Sequence, residues 1–214
     1  MRDPVHPCEP ESTRLRVVVA TRNDGKAREF GRLLGEGFVA ECLPSSVELP
    51  EETGETFAEN ARLKAVGAYR ALGRQVAVLA DDSGLEVDAL SGAPGVRSAR
   101  FAGHDATDEA NVSLLLQRLD GVRERGARFV CALVLLIPSG GGGEPLAVDA
   151  GGELQGRIAD EPAGTEGFGY DPVFVPKGWS QTLGQAGPSA KDSVSHRGRA
   201  VYALLQALGR QSRR

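Results

Sequence analysis

The sequence has little cysteine, and what it has is badly placed for bridging. Its three cysteines, Cys8, Cys42 and Cys131, are an odd number, with no two close in the chain. That pattern supports neither a disulfide framework nor a Cys-x-x-Cys metal site. Cys42 and Cys131 fall in apolar runs and are expected as buried thiols. There is no basic excess either: 25 Lys and Arg against 29 Asp and Glu leave a net charge of −4. A protein that grips a phosphate backbone normally carries the opposite balance, so nucleic acid is not an expected partner. No apolar run reaches the ~20 residues of a membrane helix, and no membrane contact is expected. The first residues, MRDPVHPCEPESTR, are polar and broken by proline, without the apolar stretch of a signal peptide. The expected location is therefore cytoplasmic. Residues 1–14 read as a loose extension and 15–210 as one domain, long enough to bury a sizeable core.

What is present is an alternation of short β-branched runs and helix signals. Arg16 to Ala20 (RVVVA) and Phe38 to Leu43 read as strands, with a helix between them running to about Leu34. Thr56 and Glu59 have the spacing of a capping box, so a helix should begin near Thr56. Val76 to Ala80 reads as a buried strand that stops at Asp81. A helix is expected near Thr107 to Leu119, and the longest strand over Phe129 to Ile137. PSGGGGEP (138–145) reads as a hairpin tip, with Leu146 to Ala150 and Leu154 to Ile158 pairing back. A last helix is expected from about Ser195 to Leu208. Helices alternate with strands early and strands cluster late, which implies an α/β fold with a mixed sheet.

Five clusters carry side chains suited to chemistry. TRNDGK (Thr21, Arg22, Asn23, Asp24, Gly25, Lys26) lies between a strand and a helix. Free backbone N–H groups at a helix start suit phosphate, and Thr21, Asn23 and Lys26 add donors. It is not a Walker A loop, because Ala20 and Ala27 occupy the positions of its first Gly and its Ser/Thr. Glu51 and Glu52 precede the helix that carries Asn60 and Lys64, which are i and i+4 and share a face. Asp81 and Asp82 are adjacent at a strand end, so one should face a cleft and the other turn inward. Carboxylates placed so are held by donors or by a cation, and Mg²⁺ fits a site of one or two carboxylates with substrate phosphates. GFGYDP (167–172) offers flat rings in Phe168 and Tyr170, and glycines that permit close approach. KDSVSHRG gathers Lys191, Ser195, His196 and Arg197, a donor-rich group suited to carbonyl oxygens. Each stretch alone also reads as ordinary capping, turn or surface chemistry.

Taken together and in this order, the chain resembles the inosine triphosphate pyrophosphatase family from about Arg16 to Leu208. The resemblance rests on VVVATRNDGK, EETGETFAENARLKA, ADDSGLEVDALSGAPGVRSARFAG, EPAGTEGFGYDPVFVP and SVSHRGRA. It implies an elongated two-lobed fold with a central nucleotide cleft, and a homodimer. It implies Mg²⁺-dependent cleavage of ITP, dITP and XTP to the monophosphate and pyrophosphate. By position, Thr21 to Lys26 resemble the phosphate loop, Glu51 and Asp82 the metal carboxylates, and Asp82 also the general base. Ser83 falls beside the substrate, and Phe168, Gly169, Tyr170, Asp171, Lys191, His196 and Arg197 fall in the nucleoside pocket. Asp81 is expected to face inward, with Ser83 and Gly84 forming a tight turn by the phosphates. The chain departs from the family's pattern in GQAGPSAK before Lys191, and in Arg22, where relatives often have Gly. A Maf-type pyrophosphatase and a non-catalytic nucleotide sensor are the alternative readings.

Overall fold

A computed structural model describes residues 14–211. The expectations for residues 1–13, including Cys8, lie outside the described residues.

Among the described residues the backbone builds one six-stranded mixed sheet in the order β2-β1-β3-β4-β5-β6. β1 (Leu15–Val19) runs parallel to both β2 (Phe38–Cys42) and β3 (Ala77–Val87). β3, β4 (Gly126–Ile137), β5 (Leu146–Ile158) and β6 (Phe174–Pro176) then pair antiparallel. Helices α1 (Asp24–Leu34), α2 (Phe57–Ala71), α3 (Asp108–Arg118), α4 (Pro188–Val194) and α5 (His196–Gln211) surround it. The caps are those the side chains dictate. Asn23 accepts from the Lys26 N–H at the start of α1, and Thr56 and Glu59 close a capping box on α2.

Strand alternation sorts the apolar residues into cores on opposite faces. Val17, Val19 and Leu79 pack with Phe30 of α1 and Leu204 of α5. Val18, Val78 and Ala80 pack with Ala61, Ala65 and Ala68 of α2. A third cluster, around Leu85, Leu115, Phe129 and Phe174, fills the far end of the long strands. The mixed α/β fold expected from the sequence is thus what the chain forms, with separate cores at its two ends.

Four local expectations change. β3 does not stop before Asp81; it runs to Val87, paired with β4 throughout, Asp82 facing Ala132. Ser83 and Gly84 are therefore strand residues rather than a turn. At Gly84 a Cβ would come within 2.5 Å of Ser98 Oγ and 2.6 Å of the Gly95 carbonyl. The glycine serves close approach of a neighbouring segment, not a bend. The two segments expected to pair back onto β4 are one continuous strand, β5, and α4 and β6 were not anticipated. Cys131 is buried as expected, but Cys42, on the outermost strand of the sheet, is exposed.

Candidate active site

The β1–β3 ladder ends at Leu79, whereas the β3–β4 ladder continues. At Asp81 and Asp82 one edge of β3 is therefore free of β1, and a cleft opens beyond the carboxyl end of β1, as it does in parallel α/β sheets generally. The two aspartates project to opposite faces there, and both are buried.

Asp81 faces α1 and α5. Its Oδ2 accepts from Lys26 Nζ at 3.1 Å and Ser83 Oγ at 2.9 Å, and Arg197 Nε lies 3.9 Å away. Burial alone would raise its pKa, but Lys26, Lys64 and Arg197 outweigh it and hold the carboxyl well below the usual range. Asp81 is thus a fixed anion that organises three cations.

Asp82 faces α2. Its Oδ1 accepts from Lys64 Nζ at 3.3 Å, while its Oδ2 is buried without a protein partner. Burial pushes its pKa up, Lys64 and the Asn60 side chain oppose, and the neighbouring Glu52 and Asp81 charges add to the rise. Lys64 also donates to Glu52 Oε1 at 2.8 Å, and Arg100 reaches Glu52 Oε2 at 3.5 Å. Lys64 stays charged because Asp81, Asp82 and Glu52 together outweigh its burial. Glu52 is therefore the acidic residue brought to Asp82, while Glu51, singled out from the sequence, is exposed. Asn60 and Lys64, noticed only as sharing a helix face, are both buried on this side.

Two cavities meet at this strand. One, of about 500 Å³, is lined by Thr21, Arg22, Lys26, Glu52, Lys64 and Asp81. The other, of about 180 Å³, is bounded by Asn23, Lys26, Ser83, Phe129, Phe168, Gly169, Tyr170, Asp171, His196 and Arg197. Lys26 borders both. Asp24 lines neither cavity: it is exposed and accepts the Cys42 thiol at 3.4 Å. Gly25 lines a separate hollow between α1 and α4.

The smaller cavity is built by a tight loop and the α4–α5 junction. Gly167 has φ +80°, and a Cβ there would fall 2.1 Å from Asp171 Oδ2, so only glycine fits. Asp171 accepts from the Phe168 N–H at 2.9 Å and Lys191 Nζ at 2.5 Å. Lys191 and Arg197 lie 4.7 and 5.0 Å from the Phe168 ring centre. His196 stacks on Phe129 with ring centres 4.8 Å apart, and its buried Nδ1 has no partner. Burial first, then the Arg197 and Lys191 charges, drive its pKa well down, so the ring is neutral near pH 7. Arg197 is buried against Glu29 Oε2 at 3.4 Å, and its raised pKa reflects the Glu29 and Asp81 charges outweighing burial. Lys191 sits behind Phe168, spent on Asp171, whereas His196 and Arg197 border the cavity itself.

Sequence reasoning missed Glu29 and left Lys64 and Glu52 outside the proposed set. The i, i+4 spacing of Asn60 and Lys64 was the available signal for one, but nothing local marks Glu29 as the partner of a residue 168 positions away.

A sequence model described as the Ham1 family matches residues 17–207. The chain is 50% identical over 193 residues to a dITP/XTP pyrophosphatase of an Exiguobacterium species, covering 89% of this chain and 95% of that one. It is 48% identical over 205 residues to a dITP/XTP pyrophosphatase of Nocardia farcinica, covering 92% and 96%. Among solved structures, the Staphylococcus aureus Ham1 protein matches with a TM-score of 0.77 at 39% identity, over 92% of this chain and 99% of that one. A Mycobacterium abscessus nucleoside-triphosphatase / dITP/XTP pyrophosphatase matches with a TM-score of 0.69 at 45% identity, over 89% and 99%. With nearly its whole length matched in sequence and in fold, the chain belongs to the Ham1 family.

Proposed function

We propose that this protein hydrolyses the triphosphates of non-standard purines, ITP, dITP and XTP, to the monophosphate and pyrophosphate. The observation that carries this reading is the junction of two cavities at one strand. A ring-lined pocket suited to a base meets a cation-lined pocket suited to phosphates, with Lys26 bordering both and Asp82 bonded to Lys64 of the second. The names of the relatives point the same way.

The residues present fit a divalent cation. Asp82 Oδ2 is a buried carboxylate oxygen without a partner, and Glu52 meets Asp82 through the shared Lys64. Among the described residues no group of three or more His, Cys, Asp or Glu forms a cage. The Glu52 and Asp82 carboxylates suit Mg²⁺, which takes one or two carboxylates and completes its shell with phosphates and water. Glu52 and Asp82 would hold it. When bound, it neutralises phosphate charge and lowers the pKa of water.

The chain's own residues do the rest. Lys26, Lys64 and the N–H groups at the start of α1 bind and orient the phosphates. Asp82, with its raised pKa, takes a proton from the attacking water as the water oxygen bonds to the α-phosphorus and the bond to the leaving pyrophosphate breaks. Asp81 keeps Lys26 and Arg197 in place without titrating. In the base pocket, Arg197 and a ring N–H of His196 offer donors to the C6 oxygen of hypoxanthine or xanthine. Adenine has an amino donor there, and leaving buried donors unpaired costs about 1–3 kcal/mol each.

Steady-state assays on ITP, dITP, XTP, GTP, ATP and UTP, detecting pyrophosphate with Mg²⁺ and with EDTA, test the proposal. Preference for ITP and XTP, abolished by EDTA, is expected. Equal rates on all bases, or release of orthophosphate alone, would refute it. The homodimer expected from the resemblance is part of the same proposal, and sedimentation equilibrium tests it.

A further inference from the structure

The base pocket has one wall that the proposed chemistry does not use. Asp108, the first residue of α3, accepts from the Gly169 N–H at 2.6 Å, 61 positions away. It borders the 180 Å³ cavity on one side and a second hollow, between α3 and the 162–172 loop, on the other. This hydrogen bond is thus part of the partition between them.

The two partners differ in how firmly they are held. Asp108 stands on a fixed platform. The buried Asn111, one turn later, accepts from the Ala102 N–H at 2.8 Å and donates to the Ala99 carbonyl at 3.2 Å, locking the helix start to the preceding segment. The loop is anchored at its stem, where the Ala163 N–H meets the Pro172 carbonyl at 2.8 Å. At its tip, Phe168 is tied from inside by Asp171. Gly169, in the left-handed region at φ +62°, is tied from outside by Asp108. Phe168, the ring that faces the pocket, therefore lies between two carboxylate anchors, one on its own loop and one across the cleft.

We propose that Asp108 is a positioning residue for the nucleobase: its carboxylate clasps the Gly169 N–H and holds the Phe168 ring at the height the purine needs. The proposal rests on the function proposed above and deepens it. It assigns base affinity, not the phosphate chemistry, to the clasp, because Asp108 lines the 180 Å³ cavity and not the cation-lined one.

The test compares Asp108→Ala, Asp108→Asn and Glu109→Gln. Asparagine keeps a carbonyl acceptor for Gly169 without the charge. Glu109 is the other acid in the first turn of α3, with a lowered pKa from the helix-start backbone N–H and Thr107, so it controls for the helix dipole. Backbone hydrogen exchange across 164–171 and steady-state kinetics on ITP are measured for each. Asp108→Ala is expected to exchange faster in this segment and to raise KM about tenfold with kcat within about twofold. Asp108→Asn and Glu109→Gln are expected to stay near the parent protein in both. Unchanged exchange and KM in Asp108→Ala would overturn the proposal. So would an equal effect from Asp108→Asn or Glu109→Gln, which would assign the role to charge, and so would a fall in kcat alone. Should the parent protein fail to hydrolyse ITP, the functional reading fails first, and the exchange measurement still decides whether the clasp exists.

Discussion

The adjacent aspartates should give opposite phenotypes when each is made Asn, although the substitutions are chemically identical. Asp81 is a buried anion with three cations around it and a hydroxyl donor. Its folded pKa is lowered, so the folded state binds its proton less well than the unfolded chain. Its contribution is therefore present above the unfolded carboxylate range, near about 3.9, and is lost as pH falls through the folded value. Removing one partner of a buried charge set costs about 3–5 kcal/mol. Taking about 3, and about 2–4 °C per kcal/mol for a domain of this size, Asp81→Asn should lower Tm by roughly 6–12 °C at pH 7. Asp82 is the reverse case. Its folded pKa is raised, so its charge weighs against the fold at neutral pH, and Lys64 keeps Glu52 at 2.8 Å when that charge is gone. Asp82→Asn should therefore not lower Tm, yet it should reduce turnover by at least about 100-fold, as loss of a general base does. Thermal unfolding followed by circular dichroism and pyrophosphate release from ITP read both quantities on the same samples. An Asp82→Asn protein that unfolds as early as Asp81→Asn, or that turns over at the parent rate, would refute the division of labour.

Three further outcomes follow from the geometry. Glu52→Gln should increase the Mg²⁺ needed for half-maximal rate, while Glu51→Gln, exposed, should not; a titration in which Glu51→Gln shifts and Glu52→Gln does not would return the ligand role to Glu51. Arg197→Ala would strand Glu29, so Arg197→Lys is the cleaner probe: keeping the charge but losing the guanidinium fork, it should narrow the ITP-to-ATP ratio of kcat/KM. Equal proportional losses on ITP and ATP would show that Arg197 does not read the base. Gly84→Ala should destabilise by roughly 1–3 kcal/mol, since its Cβ would meet Ser98 Oγ, the Gly95 carbonyl and the Phe57 ring, all within 2.7 Å; an unchanged denaturant midpoint would show that the 95–100 segment can retreat.

Local signals were enough for much of this protein. The Thr56–Glu59 capping box, the β-branched runs and the glycine hairpin tip act over a few residues, and each formed where the sequence places it. The family motifs likewise identified the segments that line the cleft. The alternation of side chains along an extended backbone sufficed to separate Asp81 from Asp82. What the sequence could not decide were the matters settled by distant partners. That β3 continues past the aspartates depends on β4 lying alongside, and on Lys26, Lys64 and Arg197 arriving from three helices to hold two carboxylates that would otherwise be too costly to bury. Glu51 and Glu52 are indistinguishable as a dipeptide; only the packing of α2 against β3 presents Glu52 to Lys64 and leaves its neighbour in solvent. Nothing in the sequence marks Asp108, in the first turn of α3, as the partner of Gly169, 61 positions away. Local conformational preference is written in adjacent residues, whereas the choice of partner for a buried charge is made by the tertiary structure, because its energy depends on groups brought together only when the sheet closes.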